Sequence, residues 1–232
     1  MLVTSKYTGH PGTGKSALVN QMKKPIRENQ GCFIEGKFLK STHPDIVLCN
    51  SLDNFFGSII EKRSRWENMY ISLRWRIHDA IGSGNTALMD AIPNLRKLMD
   101  GKSSKESLSA SQDDTSIGGR SSIEGSNYRL PFLLCKLIGA IACKAHPCVL
   151  FLDDLQWGDE MTLEVIRMIM IDPDVHHFLF IGAYRDNEVS LSHPLMKKLH
   201  DLKNQGISIM NISVGAIEKG EMLHMCYSIA TV

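Results

Sequence analysis

Two periods of apolar patterning alternate along this chain. Cys148-Val149-Leu150-Phe151-Leu152 is an unbroken apolar run, as expected of a strand covered on both faces. Residues 177–184 repeat that pattern, and residues 207–212 alternate apolar with polar. Leu2-Val3-Thr4 and Phe33-Ile34 add two short β-prone runs upstream. Between them the spacing becomes helical. Residues 45–63 place Ile46, Val47, Leu52, Phe55, Phe56, Ile59 and Ile60 on one face, and residues 66–81 do the same with Trp66, Met69, Tyr70, Leu73, Ile77 and Ile81. Further helices are expected from about residue 127 to 145, from 193 to 203 and from 218 to 229. The sum is α/β: five parallel strands with helices on both sides, a three-layer sandwich.

One stretch fits neither period. Residues 101–127 are rich in serine and glycine with scarcely a large apolar side chain, so they are expected to form a flexible, disordered insert. The rest of the 232 residues suits a single domain, with 43% hydrophobic and 22% charged residues. The net charge of +1 offers no whole-chain attraction for nucleic acid. No apolar run reaches the length of a membrane span, and the N-terminus lacks the layout of a secretory signal. Six cysteines form no C-x-x-C pair and nine histidines no zinc pattern, which suggests free thiols in a reducing, cytoplasmic setting. The cationic cluster Lys62, Arg63, Arg65, Arg74 and Arg76 reads as a solvated helix face, with a partner-facing surface as the alternative.

The chemistry starts at Gly9-His10-Pro11-Gly12-Thr13-Gly14-Lys15-Ser16, a G-x-x-x-x-G-K-S phosphate loop set between a strand and a helix. Its glycines let backbone N–H groups converge on a compact anion, and the helix beginning there adds its positive end. Gly9, His10, Pro11, Gly12, Thr13, Gly14, Lys15, Ser16 and Ala17 are therefore the candidate nucleotide contacts. Lys15 would reach the β/γ-phosphates and the Ser16 hydroxyl would ligate Mg²⁺. The helix that follows should bend or end at Lys23-Lys24-Pro25.

Asp153-Asp154 closes the long apolar run at 148–152. Two carboxylates at the end of a buried strand are costly unless a cation or donors meet them. Asp153 is the candidate Mg²⁺ partner and Asp154 the candidate to polarise water. Arg185 ends the next apolar run. It could pair with Asp186 or Glu188, or it could reach a γ-phosphate.

Four strings stand in a telling order: Gly9 to Ser16, Phe33-Ile34-Glu35-Gly36-Lys37-Phe38, Leu150-Phe151-Leu152-Asp153-Asp154-Leu155-Gln156-Trp157, and Ile181-Gly182-Ala183-Tyr184-Arg185-Asp186-Asn187-Glu188-Val189. In them the chain resembles the AAA-type P-loop ATPase module related to the origin-recognition subunit, in the STAND-like version attached to sensor kinases, cyclases and transcription regulators. The resemblance implies a P-loop NTPase sandwich that takes ATP with Mg²⁺. It implies Lys15, Asp154 and Arg185 as catalytic residues, with Ser16 and Asp153 at the metal. It also places the Arg185 strand between the phosphate-loop strand and the Asp153 strand, and marks Trp157 as packing beside the carboxylates. Family modules carry an N-terminal adenine-contacting segment and a helical lid, so the chain is expected to be truncated at both ends, with 218–232 starting the lid.

Two function classes follow. One is Mg²⁺-dependent ATP hydrolysis serving as a nucleotide switch in signal transduction, with ATP and ADP as ligands and a protein partner or fused signalling domain as reader. The other is a non-hydrolysing nucleotide-binding or scaffold module. Nucleoside-kinase chemistry and origin-type DNA binding fit less well, since the Asp-Asp-Leu-Gln-Trp string belongs elsewhere and no winged-helix segment follows.

Overall fold

In the computed structural model, residues 3–8, 13–40, 45–82, 86–101 and 129–215 are described. Residues 9–12 of the phosphate loop, residues 102–127 of the insert and the lid expectation at 218–232 lie outside them.

Five strands form one sheet: β1 (Val3–Thr8), β2 (Cys32–Lys37), β3 (Cys148–Asp153), β4 (Phe178–Ala183) and β5 (Ile209–Ser213). Their spatial order is β2-β3-β4-β1-β5, and every neighbouring pair is parallel. All six residues of β3 are buried, which is what its unbroken apolar run requires. The strand after it, β4, lies between β1 and β3. Because all strands run the same way, the ends of β2 and β3 share one rim, and Lys37 pairs in register with Asp153.

Alternate residues serve opposite faces, as a period of two demands. Phe33, Val149, Phe151, Ile181 and Ala183 pack with Val19 on one side. Cys32, Ile34, Cys148, Leu150, Leu152, Phe178 and Phe180 join the much larger cluster on the other. The smaller layer comes from α1 (Lys15–Asn20) and α2 (Lys23–Glu28). Here the expected single helix is broken two residues early, at Gln21-Met22. Pro25 sits in the first turn of α2, where its missing N–H has no partner to lose.

The larger layer holds α3 (Asp45–Glu61), α4 (Glu67–Ile81), α5 (Thr86–Ala91), α6 (Pro93–Asp100), α7 (Arg129–Ile141), α8 (Glu160–Ile171) and α9 (Pro194–Asn204). α3 presses close to β2 because Gly36 has no side chain; a methyl there would collide with Ser51 Oγ. α7 stops at Ile141, four residues short of the expected end, ahead of the turn in which Cys143 and His146 exchange backbone hydrogen bonds. α8 is capped by Asp159, the residue before it, whose carboxylate accepts the Thr162 N–H at 3.0 Å.

Three of the cluster's cations have internal tasks. Arg63 and Arg74 both lie over the Tyr70 ring, at 4.6 and 5.8 Å. Arg74 Nη2 donates to the Met99 carbonyl at 2.6 Å, and Arg76 Nη1 to the Ile141 carbonyl at 3.1 Å. Cys32, Cys49, Cys135, Cys143 and Cys148 are free thiols. Burial pushes Cys32 up to about 12 and Cys148 well above the ordinary thiol range. No helix among the described residues is long and apolar enough to cross a membrane.

Candidate functional site

Gly14 turns the chain into α1. Its φ of +88° is left-handed, a conformation that costs glycine little and other residues more. Its carbonyl accepts the Leu18 N–H at 2.9 Å, so the helix starts without delay. Lys15 is the first helical residue and is buried, at 8% exposure. Ser16 follows, and its hydroxyl donates to Asp153 Oδ2 across 2.6 Å. Residues 137 positions apart in the chain are thereby joined.

Asp153 is the last residue of β3, and the backbone turns sharply just past it. Asp154 has φ +54° and ψ +43°, left-handed for a non-glycine residue, and its N–H donates back to Asp153 Oδ1 at 3.0 Å. Both carboxylates are buried, at 6% and 5% exposure. Such strain and burial persist only where neighbours hold them, and they cluster at functional sites.

The neighbours are cations and an amide. Lys37 Nζ, at the end of β2, lies 3.5 Å from Asp153 Oδ2 and 3.4 Å from Asp154 Oδ2. Arg185 Nε donates to Asp154 Oδ1 at 3.0 Å, while its Nη1 donates to Glu188 Oε1 at 2.8 Å. Gln156 completes the ring. Its Nε2 reaches Asp154 at 3.2 Å and Glu188 at 3.3 Å, and its Oε1 accepts the Arg185 backbone N–H at 3.3 Å. The Arg185 guanidinium sits 5.0 Å over the Trp157 ring, and that ring packs against the main core. The hydrogen bond to Glu188 comes first, with the charge of Asp154 after it, in holding Arg185 above its ordinary pKa.

Thr13, Gly14, Lys15, Ser16, Ala17, Lys37, Asp153, Asp154 and Arg185 line one open cleft of about 280 Å³. It lies at the carboxyl ends of the parallel strands, where open α/β sheets take their ligands. The sequence-derived residues that the structure describes thus converge, and Gly9, His10, Pro11 and Gly12 lie outside the described residues. Of the two readings of Arg185, pairing with Glu188 is seen, together with a bond to Asp154.

Residues 8–181 match the AAA ATPase domain family. The chain belongs to that family. A comparison with curated proteins finds no match. For an AAA ATPase domain the expected ligand is a nucleotide held by a P-loop, and the cleft has the make-up for one: three cations, two carboxylates, and a helix end.

Two residues of the cleft and its rim, Lys37 and Gln156, escaped the sequence reading. Lys37 carries no signal of its own within Phe33-Ile34-Glu35-Gly36-Lys37-Phe38, because a lysine at a strand end is ordinary until register sets it opposite Asp153. Gln156 gave no signal by spacing; its role, including the bond to Glu188, comes from the short turns Leu155–Trp157 and Asp186–Glu188 folding toward each other.

Divalent metal has a clear test of fit. Among the described residues no group of three or more His, Cys, Asp or Glu could cage an ion by itself. Mg²⁺ rarely asks for that. It keeps water and binds through one or two protein oxygens plus substrate phosphates. The Ser16 hydroxyl and the Asp153 carboxylate are such hard oxygen donors, already in contact and beside the phosphate-loop lysine.

Proposed function

We propose that this chain binds ATP with Mg²⁺ and hydrolyses it, acting as a nucleotide-dependent switch of the STAND kind in signal transduction. The observation that supports this best is the 2.6 Å Ser16–Asp153 hydrogen bond, made in the cleft that Lys15 also lines.

Each residue has a role in this reading. Residues 9–17 would cradle the polyphosphate, with every backbone N–H but that of Pro11, which has none, available to donate, and Lys15 would add charge at the β/γ-phosphates. Ser16 and Asp153 would hold the metal, which supplies charge neutralisation at the phosphate oxygens. Asp154 orients and deprotonates the attacking water. Arg185 stabilises charge on the γ-phosphoryl oxygens once it leaves Asp154 and Glu188. Lys37 balances the two carboxylates in the resting cleft.

A second reading draws on a specific observation. Asp154 accepts hydrogen bonds from Arg185 and Gln156 and is ion-paired with Lys37. In that arrangement it has little capacity to act on water, as a non-hydrolysing nucleotide module would require. Titration with a fluorescent ATP analogue and phosphate-release kinetics separate the two. Expected are Mg²⁺-dependent binding abolished by Lys15→Ala, and turnover reduced at least ~100-fold by Asp154→Asn with binding retained. Equal affinity of wild type and Lys15→Ala would remove the nucleotide reading. Binding without turnover above blank would leave the scaffold reading in its place.

A further inference from the structure

The nucleotide cleft is not the roomiest one in the molecule. A second cleft, of about 420 Å³, opens beside the start of β2, and Gly31, Cys32 and Phe33 line it. Lys37, at the far end of the same strand, lines the nucleotide cleft. At ~3.3 Å per residue the two ends of β2 are about 16 Å apart. The two clefts therefore occupy opposite rims of the sheet. α1 also bridges them, with Lys15 in one and Asn20 in the other.

Its walls carry a strong excess of one charge. Lys23, Lys24 and Arg27 come from α2, and Lys62 and Arg65 from the turn between α3 and α4. Against these five cations the lining holds one carboxylate, Glu28, in a chain whose net charge is only +1. Lys23 is ion-paired with Glu35 at 2.5 Å, and Lys24 lies 3.9 Å from Glu28. Among the described residues no carboxylate pairs with Arg27, Lys62 or Arg65, and all three are exposed. Like charges gathered around a concavity repel one another, and the arrangement is relieved by an anionic occupant.

The floor is apolar. Phe33, Phe55, Ile59 and Met69 form it, and the half-buried Trp66 ring stands at its edge. A small apolar centre inside a charged rim is the anatomy of a protein-recognition pocket. A nucleic acid would ask for a different layout, a track of cations with several open aromatic faces for stacking. Phe33 and Phe55 are only 8% and 7% exposed, so Trp66 alone offers such a face, and the cations ring a cavity.

We propose that this cleft is a docking site for an acidic protein segment, in which a single large apolar side chain enters between Trp66 and the Phe33–Met69 floor while flanking Asp or Glu residues meet Arg27, Lys62 and Arg65. The site is separate from the nucleotide cleft and does not depend on how that cleft is used.

The test is a displayed library of random peptides of about 12 residues, selected on the full chain. Enriched peptides are then titrated by fluorescence anisotropy against wild type, the Lys62→Glu/Arg65→Glu double variant, Arg27→Glu and Lys15→Ala. Expected is enrichment of Asp or Glu on both sides of one Leu, Phe or Trp. Both charge reversals should weaken binding about tenfold or more, with unchanged melting temperature, while Lys15→Ala binds as wild type does. The proposal fails if no acidic consensus emerges, or if the reversed variants bind equally well. It also fails if Arg27→Glu alone keeps full affinity, or if a thymidine oligonucleotide of ~20 nucleotides competes the peptides away at lower concentration than an acidic competitor does.

Discussion

Arg185 is forked between two carboxylates, with Nε on Asp154 at 3.0 Å and Nη1 on Glu188 at 2.8 Å. One planar guanidinium therefore ties the turn after β3 to the turn after β4, two segments 31 residues apart. A lysine cannot reproduce this, because a single ammonium does not present two diverging donors in a plane. Arg185→Lys should consequently behave nearly as badly as Arg185→Ala. Both should lose stability by ~1–3 kcal/mol, since Asp154 stays buried with one fewer donor. Chemical denaturation of the three proteins measures this. A lysine variant as stable as wild type would show that charge alone, without the fork, holds the turns.

Lys37 raises a different expectation. Its ammonium bridges the two buried aspartates without a short hydrogen bond to either, at 3.5 and 3.4 Å, and its side chain is 57% exposed. Lys37→Met should therefore leave two carboxylates compensated on one side only. In metal-free buffer the variant should melt below wild type. Millimolar Mg²⁺ should return most of the difference, because a ligand that binds only the folded state stabilises it by mass action. Thermal melts with and without MgCl₂ read this directly. An identical Mg²⁺ response in both proteins would place the metal elsewhere.

Much of this was legible in the sequence, for reasons that differ by residue. β3 could be read because six buried positions need six apolar or paired residues, a pattern that β4 nearly repeats. Lys15, Ser16 and Asp153 could be read because phosphate and metal chemistry restricts both residue type and spacing. The break at Gln21-Met22 could not, since Pro25 tells only that a helix cannot run through it, and a first-turn position satisfies that equally well. Lys37 and Gln156 were hidden because their partners are fixed by strand register and by the left-handed Asp154, which no local pattern announces. The two short helices α5 and α6 likewise gave too few turns for a period to stand out.

Gly36 sits next to Lys37 and sets how closely α3 approaches the sheet. A methyl group there would meet Ser51 Oγ, with Leu152 Cδ2 at 3.0 Å and Val47 Cγ1 at 3.2 Å. Ser51 has little freedom to yield, since its hydroxyl donates to the Val47 carbonyl at 2.6 Å within α3. Gly36→Ala should cost ~2 kcal/mol through overpacking. For a chain of this size that is a fall in Tm of roughly 4–8 °C. The paired change Gly36→Ala with Ser51→Ala removes the obstructing oxygen and should recover more than half of the loss. Calorimetry on the two variants decides whether the collision or the backbone is responsible.

The tie between α8 and α9 should be visible in acid. Glu164 accepts hydrogen bonds from Arg167 at 2.6 Å and from Lys198 at 2.7 Å. The Arg167 bond comes first, with Lys198 adding to it, in depressing the Glu164 carboxyl to about 2. A depressed carboxyl contributes stability above its unfolded value of ~4.3 and gives it up as protons bind on the way down to the folded value. The contribution is thus complete above ~pH 5.5 and lost progressively between ~4.5 and 2. Glu164→Gln removes the titrating group and keeps the shape. Its stability deficit against wild type should be constant from pH 6 to 8 and should shrink as the pH falls below ~4.5. Urea titrations at stepped pH follow this; a deficit that stays level through pH 3 would mean that Arg167 and Lys198 do not favour the ionised carboxyl over the protonated one.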